Sequence, residues 1–290
     1  LHDVEENLKR YVYTLSSEIG SRGYRDEGLE QAGCFIASEW ERDGYQVLYQ
    51  QYKAYERVYK NIYIEIKGEG SPERILIVGA HYDTVTDCPG ADDNASGVAA
   101  ILALSRLLKH NHPKHTIRLV VFPLEEPPSF YTRRMGSYQY ARSLHEEGKQ
   151  LIGMICLESI GYFSDNKESQ HFPMPFFRWF YPAVGNFIAF ISNLHSRGFL
   201  NRFKSAFKMG TDIPCESIST LSIIPGIDFS DHRSFWRFGY NAIMVTDTAF
   251  YRNPNYHTPH DTAETLDYRR MTEVVKGVRS AIDELANLSL

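Results

Sequence analysis

Four apolar runs with helical stretches between them constrain this chain more than any other feature of its 290 residues. Residues 75–80, 117–124, 151–157 and 241–246 are nearly continuous in Ile, Val, Leu, Met, Phe and Ala, without the polar alternation of a half-exposed strand. Strands of this kind are buried on both faces, and the sheet they build is largely parallel with helices on each side. Apolar periodicity predicts helices over 4–17, 27–43, 95–109, 135–147 and 184–208, and a last one from about Tyr268. Leu29, Ala32, Ile36 and Trp40 share a face of the second. Met271, Val274, Val275, Val278, Ile282, Leu285 and Leu288 form a stripe on the last. Residues 45–55 and 58–67 alternate like a β pair. The expected architecture is α/β: three layers, with a mixed, centrally parallel sheet flanked by helices. No Gly/Ser linker or internal repeat divides it, so 1–290 reads as one domain, with an irregular insertion rich in proline and aromatics at 164–182.

Composition narrows the function classes. A formal net charge of −5 offers no basic surface for nucleic acid. No apolar run approaches the roughly 18 residues that span a membrane. The first residue is Leu rather than Met, which fits a trimmed leader, so secreted, periplasmic and cytoplasmic locations all stay open, as does the oligomeric state. The four cysteines are spaced too irregularly for a zinc finger or a disulfide framework. Cys34 and Cys156 fall in apolar patterns and are expected to be buried free thiols. Cys88 lies between His81 and Asp93, but a zinc site here is filled without it.

Ligands of open α/β sheets gather beyond the carboxyl ends of the strands. His81 and Asp83 follow the first central run, with Asp93 opening the next helix. Glu125 and Glu126 follow the second run, and Glu158 the third. Asp247 follows the fourth, with Tyr256-His257-Thr258 about ten residues on. So many carboxylates on one rim would repel one another, and bound cations remove that penalty. A two-zinc hydrolytic site fits: zinc takes imidazole nitrogen and carboxylate oxygen, and two ions about 3.5–4 Å apart share a bridging carboxylate. The adjacent glutamates point in different directions, so one can bind metal while the other faces water.

Several segments, in order, resemble the aminopeptidase-type zinc exopeptidases, which include bacterial leucyl aminopeptidases, glutamate carboxypeptidase and glutaminyl cyclase. They are Gly79-Ala-His-Tyr-Asp83, Pro89-Gly-Ala-Asp-Asp-Asn-Ala-Ser-Gly97, Glu125-Glu126, Leu157-Glu158, Ser230-Asp-His232 and Tyr256-His-Thr258. The resemblance implies two zinc ions per chain. His81 and Glu158 would bind one, Glu126 and His257 the other, and Asp93 would bridge them. It makes Glu125 the general base and Asp83 the partner of the far His81 nitrogen. It also implies a cis peptide at Asp93-Asn94. The implied activity is removal of the first residue of a peptide with a free amino terminus.

This chain departs from some relatives at two points. Glu158 stands where they carry Asp, and Ile227 where they carry a tyrosine. Tyr256 matches the tyrosine that other relatives place before the last histidine, and is the expected oxyanion donor. Rival readings are a glutaminyl-cyclase-like acyltransferase, which typically uses one zinc and against which His81 argues, a carboxypeptidase needing a basic pocket, and a non-catalytic binding relative.

Other features carry plainer expectations. His110, His112 and His115 precede a strand and are expected in a solvated turn away from the site. His232 is not expected to be a ligand. Asp87 and Asp92 read as loop or helix-start carboxylates, and Asp247 as either a partner of His257 or the start of a turn. The 127–134 loop is expected to shape the rim of the site. The aromatics Phe176, Phe177, Trp179, Phe180 and Tyr181 would line a pocket or pack over the sheet.

Overall fold

A computed structural model describes residues 2–289. Its elements run α1 (His2–Tyr13), α2 (Glu27–Arg42), β1 (Leu48–Ala54), β2 (Arg57–Ile66), β3 (Ser71–His81), α3 (Gly97–Leu108), β4 (His115–Phe122), α4 (Gly136–Glu146) and β5 (Gln150–Leu157). There follow β6 (Ile188–Asn193), α5 (Arg197–Gly210), β7 (Cys215–Thr220), α6 (His232–Trp236), β8 (Ala242–Thr246) and α7 (Tyr268–Leu285). The strands form one mixed sheet in the order β1-β2-β4-β3-β5-β8-β6-β7. Its centre, β4-β3-β5-β8, is parallel. β2 and β6 join that centre antiparallel on either side, and β1 and β7 form the edges.

Burial on both faces explains why the central runs lack alternation. Leu76, Val78 and Ala80 of β3 pack into the core beneath α1, α2, α3, α5 and α7. Ile75 and Ile77 pack the opposite way, with Phe122, Met154, Tyr140 of α4 and Phe235 of α6. The α7 stripe from Met271 to Leu285 is buried as its spacing requires. Each such side chain contributes about 1.5–3 kcal/mol by leaving water. Asp267 caps α7 by accepting a hydrogen bond from the Arg270 amide (3.0 Å).

Helices α5 and α7 meet at Gly277, where a Cβ would press into the Phe207 ring. Gly277→Leu is expected to lower the unfolding free energy by about 1–3 kcal/mol in urea denaturation. This holds even though leaving glycine returns about 1 kcal/mol to a helix interior. Unchanged stability would show that the seam repacks freely.

Three expectations need correction. The helix expected over 184–208 is strand β6 followed by α5. The run Ile188-Ala-Phe-Ile191 suits either structure by periodicity, and pairing with β8 and β7 decides it. Cys34 is exposed, because the buried face of α2 carries Leu29, Ala32, Ile36 and Trp40 and leaves Cys34 outside it; all four cysteines are free. His115 is not in a solvated turn. It begins β4, is buried, and its Nε2 lies 2.9 Å from the Leu288 carbonyl, whereas His110 and His112 are exposed. β7 went unforeseen: Cys-Glu-Ser-Ile-Ser-Thr has no apolar run, and it is half-buried at every position. Residues 164–182 are irregular apart from a short turn at Pro175–Trp179, as expected.

Candidate metal centre

The parallel strands end on one rim, and five side chains converge there. β3 delivers His81 directly. Its Nε2 lies 3.1 Å from Asp93 Oδ1 and 3.2 Å from Glu158 Oε2. The His257 Nε2 lies 3.0 Å from Asp93 Oδ2 and 3.2 Å from Glu126 Oε1. Asp93 therefore sits between the two imidazoles and faces each with a different oxygen. Asp93 Oδ1 and Glu126 Oε1 are buried without hydrogen-bond partners, so their approaches to the histidines lack hydrogen-bond geometry. Ligand atoms of His81, Asp93 and Glu126 all lie within 4.8 Å of one another. The peptide between Asp93 and Asn94 is cis.

Two carboxylates hold this cradle through backbone amides. The Asp83 Oδ1 lies 3.4 Å from His81 Nδ1, the partner expected of it, although the Asp83 carbonyl is closer at 3.1 Å. The same carboxylate also accepts hydrogen bonds from the amides of Glu125 (3.1 Å) and Glu126 (3.0 Å), fixing the turn that aims both glutamates. Asp261 does the same for the other loop, accepting from the amides of Asp92 (2.9 Å) and Asp93 (3.1 Å). Asn94 ties that loop to β5 through the Leu157 carbonyl (2.9 Å) and the Ser159 amide (3.1 Å). Ser230 donates to Glu158 Oε2 at 2.5 Å.

Beneath the loops lies Arg22, fully buried. Its guanidinium donates to the carbonyls of Tyr82 (2.9 Å), Leu15 (2.8 Å), Gly20 (3.0 Å), Pro89 (2.7 Å) and Gly90 (2.9 Å). Burial pushes its pKa down to about 10, opposed by Asp261, Cys88, Asp83 and Asp93, so it stays a cation at neutral pH. Sequence reasoning missed Arg22 and Asp261. Both lie outside the apolar patterns and act through backbone groups, which leave no spacing signature.

The acids compete for protons. Burial pushes Glu125 well above the usual carboxylate range; His81 opposes this, while Glu126 and Glu158 add to it. Burial and Asp93 lift Glu126 to about 7. Burial also raises Asp93, but the close imidazoles of His257 and His81 outweigh it and hold the carboxyl below its usual value. Burial disfavours a charged His257, yet Asp93 and Glu126 raise it to about 10. Buried acids crowded in this way favour the uptake of positive charge, as protons or as a bound cation. The partnerless buried oxygens and the paired imidazoles thus fit a divalent metal that takes nitrogen and oxygen ligands.

The remaining candidates lie as follows. Tyr256 stacks on His257 (ring centroids 3.8 Å apart), and its hydroxyl has no partner among the described residues. Asp92 lies in the first turn of the short helix Ala91–Ser96, as expected, and its buried carboxylate accepts from the Gly161 amide (2.9 Å) and Asn253 (2.8 Å). Of the two readings of Asp247 the turn holds: it does not orient His257, and accepts from the amides of Ala249, two residues on, and Tyr162, both at 2.8 Å. His232 Nε2 lies 2.8 Å from the Ile227 carbonyl, outside the convergence. Cys88 donates to the Thr258 carbonyl. Pro127 and Phe130, from the 127–134 loop, line the mouth of the site with Phe229 and Phe250. Phe177 and Tyr181 line an adjoining chamber, while Trp179 and Phe180 are exposed.

Known proteins resemble this chain in sequence and in fold. The model of peptidase family M28 matches residues 61–282. YfbL of Escherichia coli (strain K12), an uncharacterized protein, is 39% identical over 286 residues, covering 96% of this chain and 87% of its own. Among solved structures, BSAP, a zinc aminopeptidase from Bacillus subtilis, superposes with a TM-score of 0.76 at 16% identity, covering 96% of this chain and 94% of its own. A glutaminyl cyclase from Bacteroides thetaiotaomicron gives 0.70 at 21% identity, covering 96% and 97%. These two likenesses show a shared α/β fold.

Proposed function

The chain belongs to peptidase family M28, and on that footing we propose that it is a zinc-dependent aminopeptidase that releases the first residue of peptides. One observation carries the reading: Asp93 faces His81 with one carboxylate oxygen and His257 with the other, while Glu126 and Glu158 complete the two flanks. His81 and Glu158 would hold one zinc, Glu126 and His257 a second, with Asp93 between. Zinc bound there would polarise the scissile carbonyl and lower the pKa of water.

The protein's own groups do the rest. Glu125 makes no side-chain hydrogen bond among the described residues and lines the mouth of the site. There it takes the proton of the attacking water on a carboxylate oxygen, then passes it to the leaving amine. The unpartnered Tyr256 hydroxyl donates to the oxygen that gains charge. Phe130, Phe229 and Phe250 keep bulk water from the proton being moved. Lysine and arginine are absent from the lining of the site and of its adjoining chamber. An α-carboxylate would find no ammonium or guanidinium side chain there, whereas an α-ammonium finds Glu125 and Glu158. This supports an aminopeptidase over a carboxypeptidase.

Chelation of the purified protein is expected to reduce hydrolysis of an aminoacyl-anilide panel by about a hundredfold or more. Zinc titration should restore it, with a plateau at two equivalents per chain. A plateau at one equivalent would favour the cyclase reading. Undiminished hydrolysis by protein shown to be metal-free would overturn the role of zinc.

A further inference from the structure

A chamber opens beside the metal centre, and strand register defines its floor. Leu157 pairs with Val245, and the Glu158 amide bonds the Val245 carbonyl, so Glu158 stands level with Thr246. Thr246 pairs with Ala189, and Ala189 with Glu216. Residues in one cross-strand row project from the same face of a sheet, and all four line the chamber. Two residues along each strand, on the same face, Met244, Ile191 and Ile218 are in register and line it too. Phe172, Phe177 and Tyr181 face them from the 164–182 insertion.

The row from Glu158 to Glu216 crosses three strand spacings, about 14 Å. Between its two carboxylates stand only Thr246 and Ala189, so the middle of the trough is open and largely apolar. The polar groups around Glu216 are engaged elsewhere: Lys204 bonds the Ser217 hydroxyl (2.9 Å) and the Tyr181 hydroxyl bonds the Ser217 carbonyl (3.2 Å). Among the described residues no hydrogen bond or ion pair holds the Glu216 carboxylate.

We propose that this chamber receives the side chain of a basic amino-terminal residue, arginine or lysine, with Glu216 as the specificity-determining carboxylate. The proposal rests on the aminopeptidase reading. With the α-ammonium at the Glu158 end, a long aliphatic stem lies over Thr246 and Ala189, beneath the aromatic rings. Its terminal cation meets Glu216 and the face of Tyr181. A leucine side chain ends over Ala189 and leaves the far carboxylate untouched.

The test compares arginyl-, lysyl-, norleucyl- and leucyl-anilides on the zinc-loaded wild type and Glu216→Gln. Norleucine has the lysine stem without its charge. The kcat/KM for arginine and lysine should exceed that for norleucine by about tenfold or more in the wild type, as expected of a charge-assisted hydrogen bond. That ratio should collapse toward one in Glu216→Gln. A wild-type ratio of one or less, or a ratio that survives the substitution, overturns the proposal. Calorimetric binding of L-argininamide against L-norleucinamide runs in parallel. Discrimination that depends on Glu216 without any anilide hydrolysis would sink the aminopeptidase reading and leave the pocket for a basic side chain standing. Equal affinities would sink the pocket whether or not hydrolysis occurs.

Discussion

Glu125→Gln is expected to lower turnover of an aminoacyl-anilide by about 10²–10⁴-fold, the usual contribution of a positioned acid–base group. Zinc content should stay at the wild-type level. The backbone of Glu125 is held by Asp83 (3.1 Å), a bond that the substitution leaves intact, so the turn keeps aiming Glu126. Glutamine is close to isosteric but cannot accept a proton, so the loss should fall on kcat. Glu126→Gln is the contrasting variant. Its Oε1 is buried and partnerless beside His257, so losing its charge should deplete bound zinc as well as activity. Metal analysis and steady-state kinetics on both variants separate the roles. A Glu125→Gln protein that retains a tenth or more of wild-type turnover would remove Glu125 as the base.

Arg22→Met should be among the most destabilising single changes in this protein, at about 3–5 kcal/mol, the range seen when one member of a buried charged network is removed. Five carbonyls from α1's extension, β3's end and the Pro89–Gly90 turn lose their only shared donor group. The Leu15 and Gly90 carbonyls keep the amides of Gly20 and Ala95, but those of Tyr82, Gly20 and Pro89 have no other donor among the described residues, and an acceptor left unsatisfied costs more than a hydrogen bond normally contributes. Arg22 is also the cation set under Asp83, Asp93 and Asp261, so removing it raises the repulsion among them. Arg22→Lys should fall between, since an ammonium keeps the charge but has three donors where the guanidinium has five. Urea unfolding of the zinc-free proteins reads this directly. An Arg22→Met stability within about 1 kcal/mol of wild type would show that the carbonyls find water instead.

Particular residues show where sequence reasoning reaches and where it stops. The 75–80, 117–124 and 151–157 runs are each legible because burial on both faces forces a whole strand to be apolar. The same logic fails at 188–191, a run short enough for helix or strand, and at β7, where an edge strand needs no such run. His81, Asp93, Glu125, Glu126, Glu158 and His257 were legible because each follows a strand end or matches a motif. Asp92 and Asp247 were legible only as helix-start and turn carboxylates, and the amides of Gly161 and Tyr162 that they hold across the fold were not, since such bonds leave no local pattern.

The sequence alone determined the layered α/β architecture, the rim on which the acids and imidazoles collect, and the chemistry those side chains share. Hydrophobic period and residue type act locally, so they survive being read as a string. Only the tertiary structure decided that Asp93 stands between two imidazoles, that Asp83 and Asp261 grip the two loops by their amides, and that Arg22 supports them from below. It alone set Glu158 and Glu216 at opposite ends of one cross-strand row. Those arrangements depend on which strands lie side by side and in what register, and chain positions from 22 to 261 meet there through packing that no local pattern encodes.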